Sequence, residues 1–419
     1  MRLEEWIAHE AVRFDPADPD SVVSATDQVI GSLGPGVELL GLGEALHGSE
    51  EILLLRNRMF ERLVERHGFS AVVIETSSPQ ARAINEYVVG VRARSDPEVE
   101  AWFGSGFGLL EANRELVEWL RRRNSDAPDR LHFYGFDLPL GAGGLASPSR
   151  VLDIALDYLE PVDPARAQAH RERIASLVGD PGEWERPAAM FDPAQSIGLG
   201  AGATKLRIAV LDLITDLRIH GPEYAANSEP LAYADALHHA ELARKLLDAH
   251  AALATPGAYA GMLGIRDLIM ADNLLHFVET ERGRGKVLVF SASGHLKRGT
   301  MQWHLPPGDD VKEWWPAGSH LTQAMGARYA VIGMALGESE ANGLGAPEPG
   351  TIEAAMAAAG GSLLIPTRHK IDAAPVRTGS TLNPTYSWLT SASFTDFEWL
   401  VFLPTTTYHR GGLPLTDWS

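Results

Sequence analysis

The chain of 419 residues contains no cysteine. That single absence removes disulfides, thiolate metal sites and thiol nucleophiles together, and it suits a reducing cytoplasm, where we expect the protein to reside. Long apolar runs are also missing. The longest mid-chain stretch without Asp, Glu, Lys or Arg, Ala249 to Ile265, is interrupted by His250, Pro256 and several glycines, so no membrane span is expected. The first residues, Met1 to Glu5, lack the apolar core of a signal peptide. Positive charge is scarce: 36 basic against 55 acidic residues give a net charge of −19, which repels phosphate backbones and argues against nucleic acid as a partner. The familiar catalytic signatures are absent as well. There is no Gly-x-Ser-x-Gly elbow and no His-Glu-x-x-His. Gly198-Leu199-Gly200-Ala201-Gly202-Ala203-Thr204-Lys205 has the wrong order for a phosphate loop and reads as a turn before a helix.

What is present is an ordinary globular composition, 45% hydrophobic and 22% charged. Seven short apolar runs read as buried strands: Val37–Leu42, Ala71–Ile74, Leu131–Phe136, Lys286–Phe290, Tyr329–Met334, Ser362–Ile365 and Glu398–Leu403. Helical periodicity lies between them, as in Glu50–His67, closed by Gly68, and in Asn113–Arg122. From about Ser149 to His276 the pattern is almost wholly helical, with amphipathic stretches at Leu206–Leu217, Leu231–His250 and Leu263–His276. The expected fold is therefore α/β, a central mostly parallel sheet flanked by helices, with a large helical insertion. Residues 1–148 and 277–419 are assigned to the α/β core, and 149–276 to the insertion, placed over the open end of the sheet.

Polar residues fall where chemistry is done in such folds. The first run leads into Glu44 and His47, the second into Glu75, the third into Asp137, and the fourth into Ser291, Ser293 and His295. Ligands of open α/β sheets bind beyond the carboxyl ends of the strands. A carboxylate there is also the usual helix cap, and Gly135-Phe136-Asp137-Leu138-Pro139 also reads as a turn. If the strands are parallel neighbours, however, these groups converge. The other histidines, among them His67, His238, His239, His250, His304, His320, His369 and His409, carry no motif; His67 is placed to interact with a helix C-terminus.

Several blocks together resemble the erythromycin esterase family. Gly43-Glu44-x-x-His47-Gly48-Ser49-x-Glu51, with Arg56 on the next helix, is similar to its opening motif, and Ile74-Glu75-Thr76-Ser77 to its second. Trp119-Leu120-Arg121, Asn124 and Tyr134-Gly135-Phe136-Asp137 match a third block. Arg266-Asp267-Leu268-Ile269-Met270-Ala271-Asp272-Asn273 resembles its Arg-Asp-x-x-Met-Ala-x-Asn helix, and Gly294-His295-Leu296 its later histidine motif. The likeness runs from Pro35 to Glu340. One departure stands out: members commonly carry His-Asn-Ala-His where this chain has Ala292-Ser293-Gly294-His295.

The resemblance implies hydrolysis of the lactone ester of a macrolide, or of a related hydrophobic natural product, by activated water and without a cofactor. His47 would be the general base, oriented by Glu75 or Glu44, and His295 would donate to the developing oxyanion with help from Arg56. Arg56, Asp137, Ser291, Ser293 and Arg266 are the expected substrate-binding residues, with Ser291 or Ser293 standing in for the histidine missing at Ala292. Three alternatives remain open: a natural-product tailoring enzyme performing dehydration or cyclisation, a metal-dependent hydrolase using Glu44, His47, Glu75 and His295 as ligands, or a protein that binds such a molecule without turning it over.

Overall fold

The computed structural model describes residues 3–93, 102–104, 106–125, 127–141, 143–305, 310–367 and 371–411; His369 lies outside them. Ten strands are found among these residues: β1 (Val12–Phe14), β2 (Leu39–Glu44), β3 (Phe69–Ser77), β4 (His132–Asp137), β5 (Lys286–Ala292), β6 (Met301–Leu305), β7 (Asp310–Trp314), β8 (Tyr329–Glu338), β9 (Ser362–Pro366) and β10 (Trp399–Thr405). Eight of them form one sheet in the order β1-β9-β10-β8-β2-β5-β3-β4, and β6 and β7 pair separately as a hairpin. From β10 to β4 every pairing is parallel, and only β1–β9 and β9–β10 run antiparallel. All seven expected strands are present within a few residues. β1 and the β6–β7 hairpin carry no apolar run in the sequence: β1 has three residues, and Met301–Leu305 and Asp310–Trp314 interleave polar with apolar residues.

The strands are apolar on both faces because both faces are covered. Along β3 the side chains alternate between two cores: Ala71 and Val73 join one, Val72 and Ile74 the other. The helices Glu50–Arg66, Ser78–Val88 and Glu111–Ser125 pack on one face, and Ala317–Met325 with Ile352–Ala359 on the other. The free edge at β4 is blocked rather than left open. Asn85 accepts from the Phe133 N–H (3.1 Å) and Asn273 donates to the Phe136 carbonyl (2.7 Å).

Between β4 and β5 the described chain is helical, with an apolar core of its own. The helix Tyr259–Thr280 belongs to both layers. Met262, Leu263 and Ile269 pack into the helical core, while Met270, Leu274, Phe277 and Val278 pack against the sheet. A division at residue 276 thus falls inside one continuous helix.

The connection leaving β2 enters a helix on one face of the sheet, and the chain leaving β5 packs on the other. These two strands are neighbours, so a crevice opens between their carboxyl ends. Among the described residues, no helix is long and apolar enough to cross a membrane.

Candidate active site

The order β2-β5-β3-β4 makes the four strands singled out by their polar ends parallel neighbours. In register, Glu44 pairs with Ala292, Gly43 with Ser291, and Ser77 with Asp137. Gly43 is required for this approach, because a Cβ there would lie 2.4 Å from Ser293 Oγ and 2.9 Å from Ser293 Cα. Gly48 turns the chain at φ 78°, and a Cβ on it would meet His409 at 2.9 Å.

His47 is held from every side. Its Nδ1–H donates to Glu44 Oε1 at 2.6 Å, its backbone N–H donates to Thr385 Oγ1 (3.1 Å), and its carbonyl accepts from Asn383 (3.0 Å). The ring stands edge-on to Phe107, with centroids 5.4 Å apart. Because a carboxylate only accepts, Glu44 leaves Nε2 as the basic nitrogen of the neutral ring. Burial alone would lower the pKa of His47, but the charge and hydrogen bond of Glu44 and the charge of Glu75 outweigh it and raise the value to about 9, against the opposition of Arg266.

Glu75 is the hub. Its Oε2 accepts from Ser291 Oγ (2.7 Å) and the Ala292 N–H (2.9 Å), and its Oε1 from Arg266 (3.1 Å), with His295 Nε2 3.5 Å away. Burial works against its charged form, yet His295, His47, Arg266 and the Ala292 N–H hold its pKa well below the usual range. Arg266 grips Asp137 through two bonds of 2.8 Å each. Asp137 thus ends a strand and anchors this guanidinium. His295, in the short helix Ser293–Leu296, donates from Nδ1 to Asp267 Oδ1 at 2.8 Å. Burial would lower its pKa, but Asp267 and Glu75 raise it.

Glu44, His47, Glu75, His295, Arg266, Asp137 and Ser291 are thereby brought together at the carboxyl ends of the parallel strands. Two expected contributors are placed differently. Arg56 is fully buried behind Glu44, bonding Asn57, Asn113 and the Ala112 carbonyl and lying 4.9 Å from the Phe290 ring centroid. Burial lowers its pKa to about 10 against the pull of Glu44 and Glu50. There its guanidinium is held by protein groups and feels the charge of Glu44. Ser293 Oγ accepts from the Met334 N–H (3.4 Å), and the Ser291 hydroxyl is committed to Glu75, so both hydroxyls near Ala292 are engaged with protein.

Three participants were not foreseen. Asp267 follows Arg266 in the same helix motif, which is the signal that points to it. Trp314, which donates to Asp267, and the Asn383–Thr385 loop under His47 carry no motif. For a metal, the Glu44, His47 and Glu75 donor atoms lie within 4.8 Å of one another, and His295 is not among them.

The fold and site define a class: an α/β protein whose parallel strands end in two histidines bracketed by buried carboxylates. Comparison with known proteins agrees. The model of the erythromycin esterase family matches residues 64–396, and the chain belongs to that family. It is 23% identical over 346 residues to an erythromycin esterase type II from Escherichia coli, covering 80% of this chain and 77% of that one. A type I erythromycin esterase from the same organism is 26% identical over 123 residues, 27% of each chain. Among solved structures, a Bacillus cereus protein aligns over 98% of both chains with a TM-score of 0.75 at 17% identity. An erythromycin esterase, EreC, carrying a histidine-to-asparagine substitution and captured in its open conformation, aligns over 95% of this chain and 98% of its own, with a TM-score of 0.72 at 18% identity. A succinoglycan biosynthesis protein shares the fold with a TM-score of 0.72 at 16% identity over 97% of each chain. Family membership supports hydrolase chemistry on a small molecule.

Proposed function

We propose that this protein hydrolyses the lactone or ester bond of a macrolide or related natural product, using a water activated by His47. The observation that carries this reading is the 2.6 Å contact between Glu44 and His47 Nδ1, which leaves Nε2 as the basic atom at the crevice. The neutral imidazole takes a proton from the attacking water, and Glu44 stabilises the imidazolium that results. His295, as the imidazolium that Asp267 and Glu75 favour, carries hydrogen on both ring nitrogens and donates from Nε2 to the oxygen that becomes negative. Arg266 binds both Glu75 and Asp137, so that the negative charge buried with them is balanced.

The test is incubation of the protein with a panel of macrolides and simpler lactones and esters, read by mass spectrometry for the gain of one water. Turnover of at least one compound is expected, and His47→Ala should lower it about 100-fold or more. No turnover across the panel, or an active His47→Ala protein, overturns the reading.

The clustered donors of Glu44, His47 and Glu75 favour one second reading, in which these three residues would hold a divalent cation that would supply Lewis-acid activation of water. Inhibition by a chelator, reversed by a single metal, would replace the first reading with the second.

A further inference from the structure

We infer that Asp267 is a positioning residue, holding His295 with Nδ1–H turned into the protein and Nε2 presented to the reacting oxygen; this rests on the reading of His295 as the oxyanion donor. Asp267 has no exposed surface and sits on the helix Tyr259–Thr280, immediately after Arg266. Its Oδ1 accepts from His295 Nδ1 at 2.8 Å and from the Ala317 N–H at 2.9 Å, and its Oδ2 from Trp314 Nε1 at 2.5 Å. These donors come from three separate pieces of chain: the helix bearing His295, the end of β7, and the start of the helix Ala317–Met325. A carboxylate tied at both oxygens cannot turn about its side-chain bonds, and as an acceptor it compels His295 to carry hydrogen on Nδ1.

His295 needs this support. Its own helix has four residues, too short to fix a side chain by itself. With Nδ1 committed to Asp267, Nε2 faces Glu75 Oε1 at 3.5 Å. Two successive residues of one helix therefore act at the same oxygen of Glu75, Oε1. Arg266 takes its oxygen directly, and Asp267 aims the histidine beside it. The β6–β7 hairpin, through Trp314, becomes part of the support of the site.

The experiment uses the full chain with a substrate found in the screen above, comparing wild type, Asp267→Ala, Asp267→Asn and His295→Ala. Asp267→Ala should lower kcat about 100-fold, the scale expected from a misplaced catalytic group, with KM changed far less. Asp267→Asn, which keeps an oxygen acceptor for Nδ1–H and the size of the side chain, should recover part of the loss. In protein labelled with 15N-histidine, the His295 ring signal, assigned by its absence from His295→Ala, should report hydrogen on both Nδ1 and Nε2 in wild type, the form that donates from Nε2. It should shift toward averaged tautomers in Asp267→Ala. If Asp267→Ala does not fold, Asp267→Asn must still show a reduced kcat at near-constant KM and an altered His295 ring signal. Full activity with an unchanged signal in whichever Asp267 variant folds overturns the inference. The outcomes separate cleanly: an active His295→Ala protein removes the donor reading itself, whereas a crippled His295→Ala beside an unaffected Asp267 variant removes only the role of Asp267.

Discussion

A base that is protonated at neutral pH makes a distinctive prediction. With the pKa of His47 raised to about 9, only about 1% of the molecules carry the neutral ring at pH 7. If His47 takes the proton from water, kcat/KM should climb about tenfold per pH unit from pH 7 and level off near pH 9. The shift has an identifiable origin. Against burial, the charge and hydrogen bond of Glu44 contribute most and the charge of Glu75 next; the His47 and Glu75 donor atoms are within 4.8 Å of each other, and at an effective dielectric of about 20 a unit charge at that distance contributes about 3.5 kcal/mol. Arg266 opposes it, so Glu75→Gln should move the limb down by about one to two units and raise activity at pH 7 relative to the plateau. Glu44→Gln removes both a charge and the 2.6 Å hydrogen bond, and should move it further. The assay is kcat/KM between pH 6 and 10, with the imidazole proton shifts of His47 followed by NMR in the absence of substrate. The resonance is assigned by its loss in His47→Gln. A wild-type limb at or below pH 7, or a limb that neither substitution moves, would refute the electrostatic account of the site.

The same shift carries a stability consequence. The folded pKa of His47 is raised, so its contribution is complete below about 6.5, the ordinary histidine value, and is lost as pH rises through about 9. Wild type should therefore lose more thermal stability than His47→Gln between pH 7 and 10. Glu75, held low, acts in the opposite sense and should make acid unfolding shallower in Glu75→Gln. Arg266→Met leaves Glu75 and Asp137 buried without their shared cation and should cost about 3–5 kcal/mol in urea unfolding, with loss of turnover. Gly43→Ala should drive a methyl group into Ser293, costing about 1–3 kcal/mol and lowering kcat by displacing the short helix of His295. Wild-type activity and stability in that variant would mean that β2 and this helix separate freely.

Much of this molecule could be read along the chain, and the reason is local. A strand covered on both faces is a short continuous apolar run, so the parallel strands β2, β3, β4, β5, β8 and β10 and the antiparallel β9 announce themselves. Polar residues directly after such runs are visible for the same reason, which is how Glu44, His47, Glu75, Asp137 and His295 came forward together. β1 and the β6–β7 hairpin were not legible, since three residues, or a pair of strands outside the main sheet, leave no apolar run.

What the linear order could not supply is partnership. That β5 inserts between β2 and β3, bringing Ala292 beside Glu44, depends on which strand edges find each other, and no local pattern encodes this. The assignment of Glu44 rather than Glu75 to His47 follows from a 2.6 Å distance set by that register, as does the commitment of Glu75 to Arg266, Ser291 and Ala292. Arg56 shows the converse: beside the opening motif it resembles a ligand-binding cation, yet tertiary packing closes Asn57, Asn113 and Phe290 around it. Residue types and their places at strand ends determined which groups can do chemistry here. The packing of strands and helices decided which of them touch, because charge and hydrogen bonding act over a few ångströms in space, however far apart the partners lie in the chain.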